Sequence, residues 1–557
     1  MTAFNYAGSA NGRLERVSDP DAPFPRAYRL IVSAMPADPK PADEYSMRIR
    51  ARGALPVGRG DLVVALYWMR CLASATGECV SRLNVERGAD PWTKSYSSNF
   101  VAGPAWRRVA VAFPMAEDYA PGQYNVEFWM GQQVQTFEIA GVEIRHYGPG
   151  VQAGDTGLDL RYEGAAEDAS WRAAAAERIE RIRKADLRVR VVDAEGRPVE
   201  GAKILARMTK HEFCFGTAIA AEQLLGTSAD SDRYRRAFLD LFNCAVFEND
   251  LKWPSWERNR QRALDGLRWM RDHGIARVRG HNLVWPSWRY LPADLPGLAV
   301  TPDALRKRIN DHIVEIVNVT RGWVTEWDVI NEPYNNRDLQ SVLGDEEMAR
   351  WFQTARREDP YASMYMNDYS ILSAGGGDFL HRNHYFNTIS FLREKGAVVD
   401  GIGMQGHFSA PTPPELMLSI LDRFSVFGVP ITITEFDYNS KDAALQAQFT
   451  RDLMTVLFSH PAVDGFLMWG FWEGRHWLPD GAMIRRDWST KPNYDVYRQL
   501  VFSDWRTAAE GESDAEGAWT VRGFRGEYEI EAFHGDRKQT VSAALPAAGA
   551  EIVVKLP

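Results

Sequence analysis

The sequence contains few cysteines, no long apolar run and no excess of basic residues. Only 4 of its 557 residues are cysteine, which is too few for a disulfide scaffold, and none has zinc-type spacing with histidine. No stretch reaches the roughly 18 apolar residues that a membrane-spanning helix needs. The formal net charge of −9 provides no general attraction to nucleic acid or anionic membranes. We therefore expect no metal, no nucleic-acid partner and no membrane partner.

The cysteines and the N-terminal residues bear on the cellular compartment. Cys71 and Cys79 are close enough in sequence to close a small loop if the compartment is oxidising. Cys214 and Cys244 lie in apolar strand-like runs, which predicts buried free thiols. Residues 1–20 are polar and lack the apolar segment of a secretory signal. Either the protein is cytoplasmic, or this is a processed form of a secreted or periplasmic protein.

Aromatic residues are the compositional outlier, with 19 Trp, 20 Tyr and 26 Phe. Indole rings stack on the apolar faces of sugars, but most tryptophans fill protein cores, so the count alone identifies no site. The other proportions, 45% hydrophobic and 25% charged, are ordinary for a globular protein. The length predicts about two to four structural units, one of which could be a large barrel.

The hydrophobic pattern changes along the chain and predicts four segments. Residues 1–150 show short alternating runs with turn residues, which is typical of an antiparallel β-sandwich. The sequence of residues 151–209 predicts a linker helix and a β-hairpin. Residues 506–557 return to short β-like runs, which we expect to pack with the hairpin strands at 186–208 as a small accessory β segment.

Residues 210–505 contain eight apolar runs, each ending in a polar cluster and alternating with amphipathic helical stretches. This pattern predicts an α/β fold, a (β/α)8 barrel, whose functional side chains gather at the carboxyl ends of the strands. Two runs end in glutamate, WDVINE at 327–332 and ITITE at 431–435. These are the fourth and seventh strands, which face each other across the barrel mouth. Paired carboxyl groups there predict cleavage of a glycosidic bond.

Five motifs resemble glycoside hydrolase family 10, the endo-β-1,4-xylanases. They are ENDLKW at 248–253, RGHNLVW at 279–285, WDVINE, GIGMQGH at 401–407 and ITEFD at 433–437. FCFGTAI at 213–219 and RGFRGEY at 522–528 are similar to the plant-type branch. The resemblance implies a retaining double displacement on xylan, with Glu332 as acid/base and Glu435 as nucleophile. It also implies carboxyl groups roughly 5–5.5 Å apart, and a Glu332 pKa raised by Glu435 and by partial burial.

The same resemblance implies a set of substrate-binding residues. Asn331 would hold the sugar 2-hydroxyl, and His407 would hydrogen-bond the nucleophile. The remaining positions that match the family's sugar subsites are Glu248, Asn249, Lys252, His281 and Gln405, with Trp285, Trp469 and Trp477 as aromatic walls and lid. We expect no cofactor, a polysaccharide partner, a monomer, and a secreted or periplasmic location.

One departure from the family pattern leaves the substrate open. After Trp285 many members continue with His-Ser-Gln, whereas this chain has PSWRY at 286–290. Trp288 and Tyr290 either stack on sugar or pack the loop. A retaining β-glycosidase acting on another β-linked polysaccharide or glycoside is therefore an alternative hypothesis. A non-catalytic carbohydrate-binding protein is a second alternative.

The N-terminal segment is similar to carbohydrate-binding modules through FWMGQQVQTFEI at 128–139. Candidates for a binding face are Trp68, Trp92, Trp106 and Trp129, although strand alternation directs some of them inward. The segment either binds carbohydrate or serves only as a structural companion.

Overall fold

The computed structural model describes residues 3–18, 24–36 and 43–557, so the predicted polar stretch at 1–20 lies partly outside the described residues. The chain forms two compact units. The first comprises Met1–Ala169, Ser373–Leu380 and Ala410–Ser419, and the second comprises Ser170–Leu372, His381–Ser409 and Ile420–Pro557. None of the described helices is both long enough and apolar enough to cross a bilayer.

The first unit contains a two-sheet antiparallel sandwich, which confirms that prediction. Its strands are β1 (Asn5–Gly8), β2 (Gly12–Val17), β3 (Ala27–Val32), β4 (Met47–Arg52), β5 (Leu62–Ser74), β6 (Cys79–Arg87), β7 (Lys94–Ala102), β8 (Arg107–Pro114), β9 (Tyr124–Trp129) and β10 (Gln135–Gly148), with a short helix α1 (Asp43–Ser46) before β4. One sheet has the order β1-β4-β9-β6-β7 and the other the order β2-β3-β10-β5-β8. Alternate residues of each strand, such as Met47, Ile49 and Ala51, form the shared core.

The second unit begins with helix α2 (Ser170–Arg183) and strands β11 (Lys184–Val192) and β12 (Lys203–His211). The predicted turn forms, because Asp193 N–H donates to the carbonyl of Arg197 and Val192 bridges Pro198. The predicted hairpin is wrong beyond that turn, since β11 and β12 enter different sheets. Each strand takes its neighbours from the C-terminal segment, whose contribution the local turn pattern does not reveal.

The barrel follows. Its strands are β13 (Cys214–Ile219), β14 (Cys244–Phe247), β15 (Arg277–Val284), β16 (Glu326–Asn331), β17 (Ser363–Asp368), β18 (Gly401–Met404), the two-residue β19 (His407–Phe408), β20 (Ile431–Tyr438) and β21 (Val463–Met468). The helices are α3 (Ala221–Leu224), α4 (Ala229–Leu241), α5 (Trp253–Asp272), α6 (Pro302–Thr320), α7 (Asp338–Leu343), α8 (Glu347–Glu358), α9 (Phe379–Glu394), α10 (Pro414–Ser425), α11 (Ala443–Ser459) and α12 (Pro492–Gln499).

The eight long strands are parallel and close on themselves, because β13 pairs with both β14 and β21 while β18 pairs with β20. The predicted (β/α)8 barrel is confirmed. Its strands are buried on both faces, which explains why they appear in the sequence as nearly continuous apolar runs. All eight carboxyl ends therefore open on one face.

Strands β22 (Ala508–Glu512), β23 (Ala518–Phe524), β24 (Gly526–His534), β25 (Arg537–Leu545) and β26 (Ala550–Lys555) complete the chain. β11 lies between β23 and β26, and β12 lies between β22 and β24, which carries β25 at its other edge. The C-terminal strands thus supply the sheet partners of β11 and β12.

All four cysteines are paired, so the prediction of free thiols at Cys214 and Cys244 is wrong. Cys214 lies on β13 and Cys244 on β14, and the two parallel strands pair with Gly216 opposite Cys244. This register brings the two Cα atoms to 5.9 Å, which a disulfide spans. Cys71 and Cys79 also form a disulfide, within the sandwich.

Candidate active site

Glu332 occupies the first position after β16, at the mouth of the barrel. Its backbone is left-handed, with φ of 53°, and its N–H donates to the carbonyl of Asn367 at 2.9 Å. A non-glycine residue in this region is strained and needs support from its surroundings. The support here is the hydrogen bond to β17, while Asn336 Nδ2 donates to Oε2 of the carboxyl group at 3.4 Å.

Glu435 lies within β20 and is almost fully buried. Its Oε1 accepts a hydrogen bond from Asn367 Nδ2 at 2.8 Å, and its Oε2 lies 3.2 Å from His407 Nε2. Both carboxylate oxygens therefore have a fixed partner, which holds the group in one orientation.

A chain of side-chain amides connects the two glutamates. Gln405 Nε2 donates to Glu332 Oε1 at 2.9 Å and lies 3.4 Å from Asn331 Oδ1. Asn367 Nδ2 donates to the same Asn331 oxygen at 2.9 Å as well as to Glu435. Thr434 Oγ1 donates to Asn367 Oδ1 at 2.7 Å and so fixes that amide. The network leaves Asn331 Nδ2 buried and without a hydrogen-bond partner among the described residues.

The surroundings drive the pKa values of the two carboxyl groups apart. Burial raises the pKa of Glu332 to about 7; the hydrogen bond from Gln405 opposes this, and the charge of Glu435 adds to it. Burial also acts to raise the pKa of Glu435, but the charge of His281 and the hydrogen bond and charge of His407 outweigh it, leaving the pKa below its ordinary value. Near neutral pH one group can hold a proton while the other is ionised, which is the arrangement that acid-assisted displacement requires.

His407 connects Glu435 to a second carboxylate. Its Nδ1 lies 2.9 Å from Asp437 Oδ2, which also accepts a hydrogen bond from Trp477 Nε1 at 2.8 Å. Burial disfavours a charge on His407, but Asp437 and Glu435 raise its pKa to about 10. His407 is therefore an imidazolium at neutral pH and stabilises the ionised form of Glu435.

His281 is held by a network of buried ion pairs on β15 and β16. Its Nδ1 lies 2.9 Å from Asp328 Oδ2, and Asp328 is also paired with Arg279. Arg279 also forms an ion pair with Glu326 at 3.0 Å. Sequence reasoning named His281 but not these supporting residues.

Polar and aromatic side chains surround the carboxyl pair. The ammonium group of Lys252 lies over the rings of Trp285 and Trp469, at 5.4 and 5.8 Å, and 3.1 Å from Asn249 Oδ1. Burial lowers the pKa of Lys252, whereas the charges of Glu435, Glu248 and Glu332 act to raise it. A cation lying among three carboxylates and two indole rings provides both charge and stacking surfaces for a polar, ring-shaped ligand.

The altered loop after β15 packs against this wall. Tyr290 stacks on Trp285 with ring centroids 3.6 Å apart, while Trp288 N–H donates to Asp338 at 2.8 Å. Tyr290 therefore covers part of Trp285. Trp477, predicted as a lid, is 54% exposed and lies 5.1 Å from His407 in an edge contact.

The structure brings most of the predicted residues together. Gln405 contacts Glu332 and His407 contacts Glu435, Asn331 accepts from Gln405 and Asn367, and the rings of His281 and Trp469 lie 5.2 Å apart. The carboxyl group of Glu248 interacts electrostatically with Lys252 and Arg475. Sequence reasoning missed Asn367, which lies on β17, and Asp437, although it quoted the motif containing it. Among the described residues no group of three or more His, Cys, Asp or Glu side chains is arranged to hold a metal ion.

A barrel of this kind, with two carboxyl groups of opposed pKa joined by amides and flanked by indole rings, defines a glycosidase-type site. Comparison with known proteins identifies the family. The model of glycosyl hydrolase family 10 matches residues 204–499, and the chain belongs to that family.

Individual relatives resemble only part of the chain. The anti-sigma-I factor RsgI6 of Acetivibrio thermocellus is 34% identical over 65% of this chain and 46% of that protein. Endo-1,4-beta-xylanase 1 of Arabidopsis thaliana is 30% identical over 68% of this chain and 40% of that protein. The chain thus spans less than half the length of these relatives. The solved structure of xylanase 10B from Thermotoga petrophila in complex with xylobiose is 26% identical, with a TM-score of 0.48, over 53% of this chain and 95% of that one.

Proposed function

We propose that the chain is a retaining endo-β-1,4-xylanase in which Glu332 is the acid/base and Glu435 the nucleophile. The observation that carries this assignment is the opposed pKa of the two carboxyl groups, with that of Glu332 at about 7 and that of Glu435 below its ordinary value. Family membership supports the choice of xylan as substrate.

In the first step Glu332 donates its proton to the glycosidic oxygen as the bond from that oxygen to the anomeric carbon breaks. A Glu435 oxygen attacks the anomeric carbon from the opposite face and forms a glycosyl ester. Positive charge develops on the sugar ring during this step. The buried Asn331 amide, whose Nδ2 has no partner in the described part of the chain, is suited to donate to the 2-hydroxyl as that charge grows.

In the second step Glu332, now a carboxylate, removes a proton from water, which attacks the anomeric carbon and releases Glu435. The ester carries no charge, so the repulsion between Glu435 and Glu332 disappears and the pKa of Glu332 falls. His407 stabilises the carboxylate that leaves. Two inversions at one carbon give retention of the anomeric configuration.

A second candidate is a retaining β-glycosidase acting on a different β-linked polysaccharide. The stacking of Tyr290 on Trp285 favours it, because the tyrosine occupies indole surface that could otherwise contact sugar. Product analysis on xylan, arabinoxylan, mixed-linkage glucan and aryl glycosides separates the two candidates. Release of no xylo-oligosaccharide would exclude the first.

We also propose that the protein functions in an oxidising compartment, secreted or periplasmic. Two disulfides involving all four cysteines support this, because such bonds persist mainly outside the reducing cytosol. Cysteine pairs found reduced in protein isolated from its native source would contradict the proposal.

The roles of the glutamates are tested with an aryl β-xylobioside that has a good leaving group. We expect Glu435→Ala to abolish turnover, and Glu332→Ala to retain glycosylation but to lose about 10²- to 10⁴-fold on xylan, where proton donation matters. The matched control is Glu529→Ala, at an exposed position of β24.

Added azide distinguishes the two roles. In Glu332→Ala azide replaces the attacking water and should give a β-glycosyl azide, whereas in Glu435→Ala it takes the nucleophile's position and should give the α-azide. Identical products from both variants, or full activity in both, would refute the assignment.

A further inference from the structure

The outer face of the sandwich sheet that contains β4, β9 and β6 has an unusual distribution of charge. Alternation in the MRIRAR sequence of β4 directs three arginines to this face, while Met47, Ile49 and Ala51 enter the core. The pairing register places side chains in three rows across the sheet, which are Arg48–Trp129–Arg82, Arg50–Glu127–Asn84 and Arg52–Asn125–Glu86. Trp129 thus lies between two arginines.

Glu127 and Glu86, the anionic groups of these strands, lie beneath the cationic ones, while the 16% exposed Glu44 of α1 is paired with Arg82. Glu127 is 1% exposed and is paired with Arg50 and, at 3.4 Å, with Arg48, and it accepts from Trp129 Nε1 at 2.7 Å. Glu86 is 4% exposed and is paired with Lys94. The cations remain accessible, since Arg48, Arg82 and Lys94 are 23%, 31% and 36% exposed. The face therefore presents positive charge to solvent, although the chain as a whole has a net charge of −9.

Trp129 supplies an aromatic surface at the centre of this charge. The exposed ring of Tyr45 contacts it edge-on at 5.5 Å, and Lys94 and Arg82 lie 4.9 and 6.0 Å from its ring. The other candidate tryptophans are placed differently. Trp68 lies on β5 and Trp106 immediately precedes β8, and both contact Phe24. Trp92 lies in the loop between β6 and β7.

We propose that this face, formed by Arg48, Arg50, Arg82, Lys94 and Trp129, binds a polysaccharide that carries carboxylate side groups. A sugar ring would stack at Trp129, and the guanidinium groups would bind a uronate carboxylate through charge-assisted hydrogen bonds. The inference depends on the proposed function only in the choice of xylan as the backbone.

The test uses the full chain carrying Glu435→Ala, so that bound polysaccharide is not cleaved. Binding is measured to glucuronoxylan and to the same polymer after chemical reduction of its carboxyl groups, with excess neutral xylotetraose present to occupy the barrel cleft. We expect the native polymer to bind at least about tenfold more tightly at low salt. The difference should shrink at high salt, because screening weakens exposed charge pairs.

The residues are tested with Arg82→Gln and Trp129→Ala in the same background. Arg82 is chosen because its partner Glu44 is 16% exposed and does not become a deeply buried lone charge. Each substitution should weaken binding of glucuronoxylan about tenfold. The control is Arg13→Gln, which removes one exposed arginine from β2 in the other sheet and should leave binding unchanged.

Several outcomes would overturn the proposal. They are equal binding of the reduced polymer, undiminished binding by Arg82→Gln with an unchanged melting temperature, and equally tight binding of a single-stranded DNA oligonucleotide through the same residues. If Trp129→Ala fails to fold, the binding of glucuronoxylan by Arg82→Gln decides whether the proposal stands. Failure of wild type to cleave xylan, with carboxylate-dependent binding retained, would refute the proposed function and leave this inference standing.

Discussion

At the scale of single residues, the buried Asn331 amide is the most informative feature of the site. Its oxygen accepts from both Asn367 and Gln405, so the amide orientation is fixed and Nδ2 has no partner among the described residues. A buried donor without a partner is costly, and such a cost is understandable at a position where a ligand supplies the missing acceptor.

We predict that Asn331→Ala lowers kcat/KM on an aryl β-xyloside by about 10²-fold or more, since hydrogen bonds to the sugar 2-hydroxyl strengthen in the transition state. The same substitution should have little effect on the matching 2-deoxy substrate, which lacks the acceptor. Steady-state kinetics on both substrates measure how far the effect of the substitution depends on the 2-hydroxyl. Equal losses on the two would show that Asn331 acts only through the positions of its neighbours.

In the proposed mechanism His407 sets the acidic limit of activity. Glu435 must be ionised to attack, so activity is lost as the pH falls through its pKa, which lies below the ordinary value. Glu332 must be protonated, so activity is lost as the pH rises through about 7. The kcat/KM profile should therefore be a bell with an alkaline limb near neutrality.

We predict that His407→Gln moves the acidic limb to higher pH. Without His407 the hydrogen bond and the positive charge that lower the pKa of Glu435 are lost, so the pKa of Glu435 rises. The alkaline limb should move much less, because burial is the main cause of the Glu332 shift. The control is Asp480→Asn, at an exposed position in the loop after β21. An unshifted acidic limb would contradict the role given to His407.

At the scale of elements, Arg183 connects α2 to the barrel. It is the last residue of α2 and is buried, and it donates to the carbonyls of Phe458, His460 and Val463 at 2.7–2.8 Å. Phe458 and His460 lie at the end of α11, where carbonyl groups lack partners within the helix. One guanidinium group thus satisfies three carbonyls around the start of β21.

We predict that Arg183→Met lowers the free energy of unfolding by about 3 kcal/mol, because it leaves buried acceptors unpaired. The matched control, Arg181→Met on the exposed side of the same helix, should change stability by less than about 0.5 kcal/mol. Chemical denaturation followed by circular dichroism measures both. Equal destabilisation of the two variants would refute the capping role.

The barrel was predictable from sequence because its strands carry their own signal. Runs such as β14, which is followed by Glu248, and β18, which is followed by Gln405, are apolar up to the position where the chain reaches the open face, and there they become polar. What the sequence does not reveal is non-local. The partners of β11 and β12 come from the C-terminal segment, and the bond between Cys214 and Cys244 depends on the parallel register of two strands. The role of Asn367 likewise appears only when three strands meet.

At the scale of the whole molecule, each disulfide lies within one compact unit, and each closes a loop of different length. Cys71 and Cys79 are 8 positions apart in the sandwich, whereas Cys214 and Cys244 are 30 positions apart and enclose α3 and α4 of the barrel. A cross-link restricts the unfolded chain more when the loop is longer. The two bonds should therefore contribute unequally to stability.

We predict that Cys214→Ala with Cys244→Ala destabilises the protein by about 3–4 kcal/mol, and that Cys71→Ala with Cys79→Ala does so by about 2–3 kcal/mol. Differential scanning calorimetry with and without reductant provides the measurement, since reduction should lower the melting temperature of wild type but not that of a variant lacking all four cysteines. The chain has two units and need not unfold in one step, so the transitions are compared individually. If reductant leaves the wild-type transitions unchanged while both pairs are shown chemically to be reduced, the bonds do not stabilise the fold.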